Sequence, residues 1–129
     1  MPCLDTNYII AVLRDDPQAV EKIKGLEAAE EKISTSAINL LELYKGIYRS
    51  NRPEKTAGLE DFLANITILN IDPAASKTAA RITQELGSEG QALSEMDVLI
   101  AAAAIANNET LVTRDEHFKR IKQLRIETW

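Results

Sequence analysis

The chain has 129 residues, 45% of them hydrophobic and 27% charged, which excludes wholesale disorder and provides for one core of ordinary size. A net charge of −5 excludes nucleic-acid binding through the global field, so any such contact must use a local basic patch or a metal. The one cysteine, Cys3, excludes an internal disulfide and a thiolate zinc site, and no apolar run is long enough to span a membrane.

Met1 to Leu4 is apolar and reads as a buried strand. With no basic residue in it and an acid at position five, it does not read as a secretory leader, and a reducing cytoplasm is the expected compartment. Asp5-Thr6-Asn7 ends that strand, and a short helix follows. Asp16-Pro17 is an N-cap with proline at the first helical position, opening a helix to about Ala29. Lys32 to Thr35 reads as the second strand, after which Ser36 caps a helix from Ala37 to about Ser50. On that helix Leu40, Leu43, Tyr44 and Ile47 share one face, while Glu42 and Lys45 lie opposite with Ile38 and Leu41 beside them. A solvated Glu–Lys pair would not need those apolar neighbours, so the second face reads as the lining of a cleft.

Pro53 opens a further helix to about Ala64, and Ile66 to Leu69, alternating and β-branched, predicts the third strand. Asp72-Pro73 opens a helix that is expected to end near Gly87, with a loop from Gly87 to Gln91. From Val98 to Ala106 there is no polar residue and much alanine, which predicts a helix buried on all sides, ending at Asn107-Asn108. Thr110 to Thr113 reads as the fourth strand, Arg114 to Phe118 as a turn into a short helix, and Leu124 to Glu127 as a fifth strand. Strands alternating with helices give an α/β class with a mostly parallel sheet of four to five strands. In such a sheet the functional crevice lies beyond the carboxyl ends of the strands, so Asp5 and Asp115 are expected at one edge.

Taken singly, each acid has a structural explanation. Ser94-x-x-Asp97 fits a capping box, Asp5 and Asp115 fit N-caps, and Glu42 fits a solvated surface. Taken together they fit a shared site, where close carboxylates would repel unless a cation neutralises them. Oxygen ligands without a Cys or His cluster favour Mg2+ or Mn2+ over zinc. His117, the only histidine, reads as a surface residue, and Tyr48 as packing. Lys45 and Arg114 are candidate phosphate-holding cations, with Arg49, Arg52 and Lys119 as further ones.

Four segments then carry a resemblance: Leu4-Asp5-Thr6-Asn7, Asn39-Leu40-Leu41-Glu42, Asp97 through Ala104, and Leu111-Val112-Thr113-Arg114-Asp115-x-x-Phe118. In order and spacing the set resembles the motifs of the PIN-domain ribonucleases, and in particular the VapC-like toxins of prokaryotic toxin–antitoxin pairs. The resemblance implies one PIN-like domain over residues 1–129, a three-layer α/β/α sandwich and Mg2+- or Mn2+-dependent RNA cleavage. It also implies Asp5, Glu42, Asp97 and Asp115 as catalytic, metal-holding acids. Thr6, Asn7 and Thr113 would be hydrogen-bonding supports for the carboxylates or water. It further implies a homodimer and an antitoxin partner that blocks the site. Two other classes compete: a PIN-like module that binds without cutting, which would be expected to lose acids, and a receiver-type phosphoacceptor domain. The latter would use Asp72, a residue better explained as a helix start.

Overall fold

The computed structural model describes all of residues 1–129. The elements in chain order are β1 (Pro2–Leu4), α1 (Thr6–Leu13), α2 (Pro17–Ala28), β2 (Ser34–Ser36), α3 (Ala37–Ser50), α4 (Pro53–Leu63), β3 (Thr67–Leu69), α5 (Pro73–Ser88), α6 (Glu95–Ala106), β4 (Thr110–Val112) and β5 (Ile126–Glu127), with a 3-10 turn at Glu116–Arg120 before the last strand. The five strands form one parallel sheet in the order β3-β2-β1-β4-β5. None of the helices is long and apolar enough to cross a membrane.

Strand alternation sorts the core into two layers. Cys3 and Leu111 face a core built with α5, α6 and Phe118, whereas Leu4 and Val112 face one built with α1, α2, α3 and α4. Helices therefore cover both faces of a sheet whose central strand, β1, is wholly buried, which is the expected three-layer α/β/α arrangement.

Helix starts follow the caps read from the sequence. Asp16, Ser36, Asp72 and Ser94 each accept a backbone N–H three residues on. The bond from Ala75 N–H to Asp72, at 2.8 Å, accounts for Asp72 without a phosphoacceptor role. Two expected boundaries move. The second strand is Ser34–Ser36 rather than Lys32 to Thr35, because the hydroxyls of Ser34 and Thr35 find partners in the carbonyls of Pro2 and Leu4 on β1 and can be buried. Helix α5 runs past Gly87 to Ser88, and Gly90 is its left-handed residue, at φ 67°. Bonds from Gly90 N–H to Gly87 O and from Gln91 N–H to Leu86 O close that end as a Schellman motif.

Helix α6 is buried as its composition predicts, with Ala101, Ala102, Ala103 and Ala104 all fully inaccessible. Their small side chains let α5 and the sheet close over the helix. Ala102→Leu should therefore overpack the core and destabilise the fold by about 1–3 kcal/mol. Urea unfolding of both proteins measures this, and unchanged stability would mean that this helix is loosely packed.

Candidate active site

The sheet order places β2 and β4 on either side of β1, so the crevice opens where β1 and β4 end. Asp5 leaves β1 there, its backbone N–H bonded to Val112 O on β4 at 3.1 Å. The residue is 5% exposed, and its carboxylate caps α1 by accepting from Thr6 N–H at 2.9 Å. Oδ1 also accepts from Asn39 Nδ2 at 3.2 Å, and Oδ2 accepts from Thr113 Oγ1 at 2.6 Å. Asp5 is thus at once a helix cap and the centre of a buried polar network.

From this centre the network reaches the other acids. Thr6 Oγ1 accepts from Asn39 Nδ2 at 2.9 Å and donates to Glu42 Oε1 at 2.6 Å. Thr113 Oγ1 accepts from Asp115 N–H at 3.0 Å. Asp115 caps the 3-10 turn by accepting from His117 N–H, and its Oδ1 lies 3.2 Å from His117 Nδ1. Asp97, in the first turn of α6, brings a carboxylate oxygen into a group with Asp115 and His117 whose ligand atoms all lie within 4.8 Å of one another. All four acids named from the sequence therefore lie on one connected edge. The capping roles of Asp5 and Asp115 are part of that arrangement and do not compete with it.

Burial is the largest influence on Asp5 and raises its carboxyl above the ordinary 3.8. Hydrogen bonds from Thr113 and Thr6 pull it back, and the charges of Glu42 and Asp115 push it further up. No lysine or arginine is paired with any of the four acids; the one basic side chain paired with them is the His117 imidazole. A divalent cation fits this chemistry: convergent carboxylate oxygens, mutual repulsion and no protein cation to relieve it.

Several expectations change. Asn7 is exposed and makes no side-chain hydrogen bond, because one residue beyond Thr6 the helix has turned by about 100°; it is not a support for the acids. Arg114 is committed elsewhere: its Nε bonds the backbone oxygen of Trp129, its guanidinium lies 3.6 Å from the Trp129 ring centroid, and NH2 bonds Gln18 at 2.7 Å. It is therefore not a free cation in this structure. Lys45 stays exposed and unpaired. Tyr48 is 73% exposed rather than packed. His117 is at the surface as expected, yet it joins the acid group. A groove of about 450 Å3 does lie beside Glu42, but Leu43, Gly46 and Ile47 line it together with α1 and α4, and Ile38 and Leu41 do not. Asn39 is the support that the sequence reading passed over. It is fully buried, closes a capping box with Ser36, and precedes Glu42 by three residues, a spacing that puts both on one helix face.

Comparison with known proteins gives a consistent set of similarities. The model of the PIN domain family matches residues 3–124. The chain is 35% identical to ribonuclease VapC2 of Haemophilus influenzae and 32% identical to the tRNA(fMet)-specific endonuclease VapC of Shigella flexneri, in both cases over 98% of this chain and 96% of the relative. Among solved structures, a chain of the VapBC2 complex of Rickettsia felis, bound to a promoter DNA fragment, superposes with a TM-score of 0.91. It is 30% identical, with 99% of this chain and 98% of that one covered.

The raised Asp5 carboxyl has a consequence for stability. The folded state holds that proton more tightly than the unfolded chain, so the associated stability is complete below about 3.8 and is lost as pH rises through the higher folded value. In EDTA, Asp5→Asn should therefore be more stable than wild type near neutral pH, with the advantage vanishing in acid. Added Mg2+ should raise the melting temperature of the wild type alone. Thermal melts across pH test this, and identical pH profiles for the two proteins would contradict it.

Proposed function

The chain belongs to the PIN domain family, and from that premise we propose that it is a VapC-type toxin, an endoribonuclease dependent on Mg2+ or Mn2+ and held in check by an antitoxin. One observation carries the reading: buried Asp5 is linked to Glu42 through Asn39 and Thr6 and to Asp115 through Thr113, and Asp115 lies close to Asp97, with no lysine or arginine paired to any of them. Asp5, Asp97 and Asp115, with Glu42 behind Thr6, are the residues that would hold the ion. When bound, such an ion supplies a water of lowered pKa and offsets the negative charge that builds on phosphorus.

The remaining work falls to the chain's own side chains. Thr113 and Asn39 hold the two Asp5 oxygens in a fixed orientation, so little reorganisation is needed when RNA arrives. Thr6 occupies one Glu42 oxygen, and Oε2 remains to accept a proton released at the site. Lys45, exposed and three residues beyond Glu42, is the cation assigned on this reading to a phosphate of the substrate. The same reading includes a homodimer, to which exposed Leu41 and Tyr48 on α3 give an apolar face, and action in the cytoplasm, where the RNA substrate is found. The likeness to VapBC structures, one of them from a family of toxin–antitoxin systems, supports the antitoxin partner.

Purified chain free of antitoxin should cut bulk tRNA in Mg2+ or Mn2+ and be silent in EDTA. Initiator tRNA is the first substrate to try, because of the likeness to the tRNA(fMet)-specific enzyme. Asp5→Asn and Asp97→Asn should each slow cleavage by about 100-fold or more while keeping the circular dichroism of the wild type. Cleavage that persists in EDTA, or in either variant at the wild-type rate, would refute the assignment.

A further inference from the structure

We infer that Trp129 is a positioning residue for the acid site, acting through Arg114; the inference rests on the metal-dependent nuclease reading above. The argument begins with the segment that follows β4. Thr113 and Asp115 both face the site, one bonded to Asp5 and the other grouped with Asp97. Arg114 lies between them and points away from the site, toward Trp129. Such a segment is fixed only if both of its sides are held. On the site side the holds are the Thr113 hydroxyl and the Asp115 cap. On the other side Arg114 has three partners: the Trp129 backbone oxygen, the face of the Trp129 ring and the Gln18 side chain.

Trp129 is well placed to be that anchor. Its ring is tilted against Tyr8 at a centroid distance of 5.3 Å, and Tyr8 is fully buried with its hydroxyl donating to Ala19 O at 2.9 Å. The backbone leading to it is tied down by β5, where Thr113 N–H donates to Glu127 O at 2.9 Å and Lys22 pairs with Glu127 at the same distance. Tyr8 belongs to α1, the helix that Asp5 caps. Trp129 therefore bridges, from behind, the two elements that carry Asp5 and Asp115, although it touches neither carboxylate. The indole N–H is buried and makes no hydrogen bond, so the ring face, and not its polar atom, is what the arrangement uses. Arg114 is suited to the other half, since a planar guanidinium can stack and bond at once and an ammonium cannot.

The test uses the full chain as wild type, Trp129→Ala, Trp129→Phe, Arg114→Lys and the Trp129→Ala/Arg114→Lys double variant. Mn2+ binding is read by calorimetry, with kcat and KM measured on tRNA. Trp129→Ala and Arg114→Lys should each weaken Mn2+ binding by about 10-fold and lower kcat at fixed Mn2+ with KM for RNA unchanged. The double variant should be weaker than either single one by less than the product of the two effects, because the guanidinium–ring contact is lost in both. Trp129→Phe should rescue binding to within about twofold of wild type, since it keeps an aromatic face for Arg114 and gives up the smaller ring of the indole with its unbonded N–H. A folded Trp129→Ala that binds Mn2+ like wild type would overturn the inference. So would a Trp129→Phe as damaging as the alanine, or an Arg114→Lys that raises KM alone, which would make Arg114 an RNA contact. If Trp129→Ala does not fold, Trp129→Phe and Arg114→Lys decide the matter. A wild type that binds Mn2+ but cuts no RNA would count against the nuclease reading, while the Mn2+ isotherms would still test the anchor.

Discussion

Asp5 is a carboxylate held inside a protein with three donors aimed at it and no cation. Burial of an acid is costly unless its oxygens are bonded, and here backbone, hydroxyl and amide each supply one bond. Those donors come from three separated parts of the chain: the start of α1, the first turn of α3 and the end of β4. The central strand cannot end at Asp5 with its acid satisfied unless α3 and β4 are also in place. Tertiary order at the edge of the sheet is thus coupled to the chemistry of one side chain.

The parallel sheet makes that coupling possible. Strands β1 and β4 end side by side in register, with Leu4 opposite Val112, so the residues that follow them, Asp5 and Thr113, meet. A buried helix of alanines brings Asp97 in from a third direction without a large side chain between it and the sheet. The hydrogen bonds absorb part of the cost of burying Asp5, but Glu42 and Asp115 add repulsion that they do not cancel. On the proposed reading, that repulsion is what a bound divalent cation would relieve.

Much of this was legible in the sequence because it rests on local signals. Caps at Asp16, Ser36, Asp72 and Ser94, the apolar run from Val98 and the alternation of strands and helices are readable one segment at a time. What escaped was set by tertiary partners. Ser34, Thr35 and Ser36 form a buried strand although their side chains are polar, because β1 carbonyls and the buried Glu109 accept from the first two. Asn39 stood in the sequence only as the first residue of the segment that ends at Glu42, and its bond to Asp5 crosses 34 positions. Arg114 looked like a free cation next to an acid motif, yet Trp129, 15 residues on, engages it. Composition and periodicity carry no trace of such pairings, and the groove beside Glu42 likewise depends on how α4 packs against α1 and α3.

The most direct measurement is an anomalous difference map from crystals of the wild-type chain soaked in Mn2+. One peak bounded by Asp5, Asp97 and Asp115 is predicted, lost on exchange of Asp5 for asparagine. A map with no peak at that edge, or with manganese only on surface glutamates away from it, would show that the crowded carboxylates are held by hydrogen bonds alone and that the site is not built around an ion.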